Sequence, residues 1–92
     1  MNQLICKRFV VSGKVQGVFF RASTRQQAVQ LAIRGYAKNL VDGSVEVLVI
    51  GTTDSVNRLE QWLWQGPPTA KVNSVLAIEF VTHASHDGFE IL

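Results

Sequence analysis

Cysteine is almost absent: Cys6 stands alone, so no intramolecular disulfide can form and no cysteine cluster is available for a structural zinc ion. Strand parity reads Cys6 as a small apolar filler. The two prolines and seven glycines follow no repeat, which excludes collagen-like and proline-rich low-complexity chains. Charge of one sign is lacking too. Nine Lys and Arg oppose seven Asp and Glu, for a formal net charge of +2, and the basic residues are scattered. Nothing in that balance calls for nucleic acid or an anionic membrane as partner. No apolar run approaches the length of a membrane span. Residues 1–12 also lack the apolar core and small-residue cleavage site of a secretory signal, because Lys7 and Arg8 interrupt them. The expectation is a cytoplasmic protein.

What is present is a chain of 92 residues, 47% of them hydrophobic and 17% charged. This suits one compact domain over residues 1–92 that keeps a core without cross-links. Ile5 to Ser12 reads as a strand. From Arg21 to Arg34 the period changes: Thr24, Ala28, Leu31 and Ala32 share one helical face opposite Ser23, Gln26, Gln27, Gln30 and Arg34, and Gly35 is the expected stop. Gly35 to Val41 and Ser44 to Ile50 read as a hairpin closed at Asp42-Gly43. Thr53 or Asp54 is the expected cap of a second helix with an apolar stripe of Val56, Leu59, Trp62 and Leu63, ended by Gly66-Pro67-Pro68. Lys71 to Thr82 reads as a long strand and Gly88 to Leu92 as a short one. The order is βαββαβ with a possible extra C-terminal strand. That is an α+β, ferredoxin-like sandwich: an antiparallel sheet with two helices on one face.

Between the first strand and first helix lies Gly13-Lys14-Val15-Gln16-Gly17-Val18-Phe19-Phe20-Arg21. A strand running through a glycine turn into a helix leaves unpaired amides at the positive end of the helix dipole, and an anion is the natural guest. The bland reading makes Gly13 and Gly17 ordinary loop glycines and Arg21 a solvated residue. It leaves unexplained why a cation stands at a helix N-terminus, a conflict that an anionic ligand would resolve. No nucleotide-binding Gly-x-x-x-x-Gly-Lys-Ser/Thr string occurs.

The pattern Gly13-x-Val15-Gln16-Gly17-Val18-x-Phe20-Arg21, followed by Gly35-Tyr36-Ala37-Lys38-Asn39-x-x-x-Gly43-x-Val45-x-x-x-x-x-Gly51, resembles both signature stretches of the acylphosphatase family. Gly66-Pro67, a Val72-x-x-Val75 step and the closing Phe89-x-Ile91 extend the similarity nearly end to end. The resemblance implies a small enzyme that hydrolyses the carboxyl-phosphate bond of acyl phosphates without metal or cofactor. Carried over by position, Arg21 and the amides of Gln16, Gly17, Val18, Phe19 and Phe20 hold the phosphate, and Asn39 orients the attacking water. Leu40 departs from the pattern, since many members carry a small hydroxyl residue there; this puts rate more than reaction type in doubt.

The residues suit those roles. Arg21 is permanently charged and presents a planar fork matched to phosphate oxygens. Asn39 can accept from a water proton and donate through its amide, which positions a neutral nucleophile without deprotonating it. No fixed position of either pattern is a His, Cys, Asp or Glu. A carboxylate leaving group removes the need for one, because its conjugate acid has a pKa of about 4.

Set against this, Asn39 could be an edge or bulge residue, and Lys38 a solvent-facing lysine. Tyr36 reads equally as core or pocket wall. Trp62 fits the helix stripe, and Trp64 falls on the polar side. His83 and His86 have no other ligand close in sequence and make a poor metal site. A noncatalytic RNA-binding sheet is the competing class, but Val45 to Ile50 carries no base-stacking aromatic. A third reading is an isolated counterpart of the acylphosphatase-like domain of larger carbamoyl-processing maturation proteins. The missing zinc-finger cysteines favour a free-standing enzyme. The expected partners are a small acyl phosphate and phosphate or other small anions, with a monomer as default because no apolar stripe is evident once the core is assigned.

Overall fold

The computed structural model describes residues 4–80 and 88–92, with 79 and 80 by their backbone. The elements are β1 (Leu4–Lys14), α1 (Phe20–Gln30), β2 (Arg34–Asn39), β3 (Val45–Thr52), α2 (Thr53–Gln65), β4 (Lys71–Phe80) and β5 (Phe89–Ile91). They form one five-stranded sheet in the order β4-β1-β3-β2-β5, the ferredoxin-like α+β arrangement.

The sheet is mixed rather than wholly antiparallel: β1 runs antiparallel to β3 and β4, and β2 to β3, but β5 lies parallel to β2. Register explains the direction. Phe80 pairs with Cys6, Cys6 with Ile50 and Ile50 with Arg34, so β4 ends level with the start of β2. A strand entered from that end and added beside β2 runs the same way.

Alternation along the strands makes the core. Phe9 and Val11 of β1, Ala37 of β2 and Val45, Val47 and Val49 of β3 are fully shielded. They face Val56, Leu59 and Leu63 of α2 and Phe20 and Ala28 of α1, which are equally buried. Each such aliphatic or aromatic side chain contributes about 1.5–3 kcal/mol of transfer free energy. Phe20 and Trp62 link the helices with ring centroids 5.8 Å apart. Buried Thr24 is satisfied through Oγ1, which donates to the Phe20 carbonyl at 2.8 Å.

Helix α1 is shorter than its amphipathic pattern suggests. It ends at Gln30, and the next turn is a reversal in which Ala32 takes φ 56°. The Ala32 amide bonds to Val29 O at 3.2 Å and the Ile33 amide to Ala28 O at 2.8 Å. This pair of bonds defines a Schellman stop. Burial of Ile33, 3% exposed, outweighs the cost of a left-handed alanine. Gly35 is therefore no helix cap. It lies inside β2, where a Cβ would sit 1.8 Å from the Leu48 carbonyl oxygen.

Other boundaries shift for local reasons. The cap of α2 is Thr52, not Thr53 or Asp54: its Oγ1 accepts from the Ser55 amide at 3.2 Å. Asp42 and Gly43 sit within the hairpin loop, but its closing pair is Leu40 and Ser44, joined by a 2.8 Å amide-to-carbonyl bond. The Ser44 amide also donates to Asp42 Oδ1. Strand β4 is described to Phe80, and residues 81 and 82, like His83 and His86, lie outside the described residues.

The face of the sheet away from the helices corrects two expectations. Cys6 points there, half-buried, and burial pushes its thiol pKa up. Leu4, Leu76 and Ile78 remain exposed, so apolar surface is left outside the core. Tyr36 turns to this face and away from the core: its hydroxyl donates to Glu46 Oε1, where Arg8 Nη1 approaches Glu46 Oε2 at 3.4 Å.

Candidate active site

Beyond Lys14 the chain leaves the sheet and reaches α1 in five residues. Val15 and Val18 are buried and pin this loop to the core, and the Val18 carbonyl accepts from Thr69 Oγ1 at 3.0 Å. Gly17 takes φ 73° with nothing within 4 Å of a would-be Cβ, so glycine is needed for its backbone angle and not for space. Phe19 is also left-handed, at φ 60° and ψ 23°. Alternating left-handed residues turn successive peptide planes, a backbone pattern of the concave amide nests that bind anions.

Phe19 is the N-cap of α1, and its side chain offers no oxygen to cap with. The first amide to find an intrahelical acceptor is that of Ser23, bonded to Phe19 O at 2.9 Å. No acidic residue stands in the first turn. The positive end of α1 is left without an anionic side chain of its own helix.

Arg21 leaves this turn half-buried, and its Nη1 donates to the Leu92 carbonyl at 2.6 Å. One turn later, Arg25 Nε donates to Phe89 O at 3.1 Å. The two guanidinium groups strap β5 to α1. Asn39 comes from the other side, as the last residue of β2, opposite Val45. Its Oδ1 is sealed from solvent and has no hydrogen-bond partner among the described residues, although a buried acceptor normally finds a donor.

A cavity of about 280 Å³ joins these parts. Of the residues singled out in the sequence, Gly17, Phe19, Phe20, Arg21 and Asn39 line it. The side chains of Gln16 and Val18 do not. Val18 is in the core, and Gln16 Nε2 donates to the Leu40 carbonyl at 2.7 Å and the Ser44 carbonyl at 2.9 Å, tying the loop to the hairpin. Val15, Ala22 and Ile91 complete the lining. Ile91 was marked in the sequence only as part of the closing Phe89-x-Ile91 resemblance and not as a site residue, because it arrives from the opposite end of the chain. Lys38 is exposed and outside the lining. The two acidic residues near the second motif point elsewhere, Asp42 to Ser44 and Glu46 to Arg8 and Tyr36. Among the described residues, no Asp, Glu, His or Cys lines the cavity.

Comparison with known proteins agrees with the fold and with the pattern of the two motifs. The family model described as Acylphosphatase matches residues 7–91. An acylphosphatase of Alkalilimnicola ehrlichii is 51% identical over 86 residues, covering 94% of this chain and 96% of that protein. One from Xanthomonas euvesicatoria is 60% identical over 68 residues, 74% of this chain and 77% of its own length. The solved structure of an acylphosphatase from Coxiella burnetii superposes with a TM-score of 0.92 at 44% identity, over 99% of this chain and 94% of that one. Similarity of this extent, in sequence and in backbone alike, places the chain in the acylphosphatase family.

Proposed function

We propose that Arg21 and the amides of residues 16–20 hold the phosphate of the acyl phosphate that this enzyme hydrolyses, and that Asn39 orients the attacking water. The observation that carries this reading is the convergence on one cavity of an acid-free helix N-terminus with Arg21 and Asn39. Arg21 has five N–H donors and gives one to Leu92 O, so the others are free to face phosphate oxygens.

The chemistry needs no Asp, Glu, His or Cys side chain as acid, base or nucleophile. Water oxygen forms a bond to phosphorus while the bond from phosphorus to the bridging oxygen breaks, and the electron pair leaves on a carboxylate. That group departs without an acid because its conjugate acid has a pKa of about 4. The water proton passes to a phosphate oxygen, giving carboxylate and inorganic phosphate. Charge in the loose transition state spreads over the oxygens that the loop amides and Arg21 face, so positioning and electrostatics carry the rate.

The same reading makes residues 1–92 one domain, in keeping with a family model that spans 7–91. It also makes the enzyme a cytoplasmic monomer acting on a small molecule, with neither nucleic acid nor membrane as partner. No helix among the described residues is long and apolar enough to cross a membrane.

Inhibition by inorganic phosphate, a product, tests the phosphate site. Charge-assisted bonds of about 1.5–3 kcal/mol predict that Arg21→Gln raises the inhibition constant by roughly 10- to 100-fold. An unchanged constant in a variant with the wild-type unfolding midpoint overturns the assignment.

A further inference from the structure

We infer that Phe19, with Ile91, forms an apolar platform for the acyl half of the substrate, so that flat apolar acyl groups are preferred over acetyl. The inference rests on the reading above that the cavity takes an acyl phosphate.

Two neighbouring phenylalanines do different work. Phe20 is 1% exposed and packs on Trp62. Phe19 is 79% exposed and holds a left-handed backbone at φ 60°. The free protein gains little from this arrangement: the backbone conformation is unfavourable for a bulky residue, and the ring stays in water. Strain of this kind gathers at ligand sites, and Phe19 stands on the cavity lining beside Arg21.

Its counterpart is Ile91, 42% exposed, which lines the same cavity from β5. Its strand is fixed by the bonds from Arg25 to Phe89 O and from Arg21 to Leu92 O. The small side chain of Ala22 also lines the cavity and fills little of it. Among the described residues that line it, only Arg21 and Asn39 have a side chain with a polar atom, and both are assigned to phosphate and water. A hydroxylated or anionic acyl group would therefore lose its hydration with no side-chain partner on the wall, whereas an aromatic or longer aliphatic one would cover Phe19 and Ile91. The acyl group hangs from phosphorus by a single bridging oxygen, so it must leave the phosphate cradle close to the residue that caps the helix.

The test compares kcat/KM for benzoyl phosphate and acetyl phosphate in wild type, Phe19→Asn and Phe19→Leu. Asparagine tolerates the left-handed backbone and removes the ring; leucine keeps an apolar side chain. Taking the benzoyl-to-acetyl ratio cancels any shared effect on the phosphate loop and the intrinsic difference between the leaving groups. The ratio is expected to fall about threefold to tenfold in Phe19→Asn, the size of one lost aromatic contact, and less in Phe19→Leu. A ratio that stays at the wild-type value in Phe19→Asn, with both substrates still hydrolysed, overturns the platform alone. Failure of wild type to hydrolyse either substrate overturns the reading of the site as well.

Discussion

Gln16 and Leu40 are joined by a 2.7 Å hydrogen bond from the side-chain amide of one to the main-chain carbonyl of the other. The same Nε2 also donates to Ser44 O at 2.9 Å, so one side chain closes both ends of the hairpin loop onto the loop between β1 and α1, across 24 and 28 residues of sequence. Asn39 directly precedes Leu40. The distance between the proposed water-positioning amide and the proposed phosphate cradle thus depends on the Gln16 side chain, which lies outside the cavity lining. Leu40 contributes its carbonyl to this tie, a role indifferent to its departure from the family pattern.

Gln16→Ala removes one of two donors from each of the Leu40 and Ser44 carbonyls, which keep the amides of Gly43 and Leu40 respectively, at a cost of about 1–2 kcal/mol of stability. Looser placement of Asn39 is expected to lower kcat by about tenfold, with a smaller change in KM. Urea denaturation and steady-state kinetics read the two effects separately. Equal losses of activity for Gln16→Ala in the wild-type and Asn39→Ala backgrounds would show that the tie does not act through Asn39.

Ala32 carries the left-handed position that glycine usually fills at a helix end. Ala32→Gly removes a penalty of about 1–2 kcal/mol and gives back part of it as added freedom of the unfolded chain. A net stabilisation of about 0.5–1 kcal/mol is expected, visible as a higher midpoint in thermal unfolding. A lower midpoint would contradict the strain assigned to this turn.

Tyr36 is held protonated, its pKa pushed up to about 12 by burial and then by the bond and charge of Glu46. The unfolded chain loses this proton near the ordinary tyrosine value of about 10, so between the two values the folded state binds more protons. The Tyr36 contribution to stability is complete below pH 10 and falls as pH rises toward 12. Urea midpoints measured from pH 8 to pH 11.5 are therefore expected to drop more steeply in wild type than in Tyr36→Phe. Parallel curves would show that the Glu46 contact does not bias the titration.

Strand and helix identities were legible where burial follows a simple period. Phe9 and Val11 alternate with residues of the open face, and Val56, Leu59 and Leu63 recur along one side of α2. The end of α1 was not legible, because Ala32 and Arg34 continue the helical pattern and the core contact of Ile33 stops it. Gly35 misled for a related reason: glycine at a helix end and glycine beneath a neighbouring strand's carbonyl look alike in one dimension. At the site, Gly17, Phe19, Phe20, Arg21 and Asn39 were marked by the two motifs and meet at one cavity. The place of Ile91 at the site and the tie made by the Gln16 side chain were not legible, because their partners lie far along the chain. The parallel direction of β5 depends on where β4 ends, which no local pattern encodes.

The most direct measurement is hydrolysis of benzoyl phosphate by wild type, Arg21→Ala and Asn39→Ala, each first shown to have the native unfolding midpoint. The account predicts an active wild type and, in both variants, a loss of kcat/KM of about 100-fold or more, equivalent to roughly 3 kcal/mol of transition-state stabilisation. Folded variants that retain the wild-type rate would contradict it.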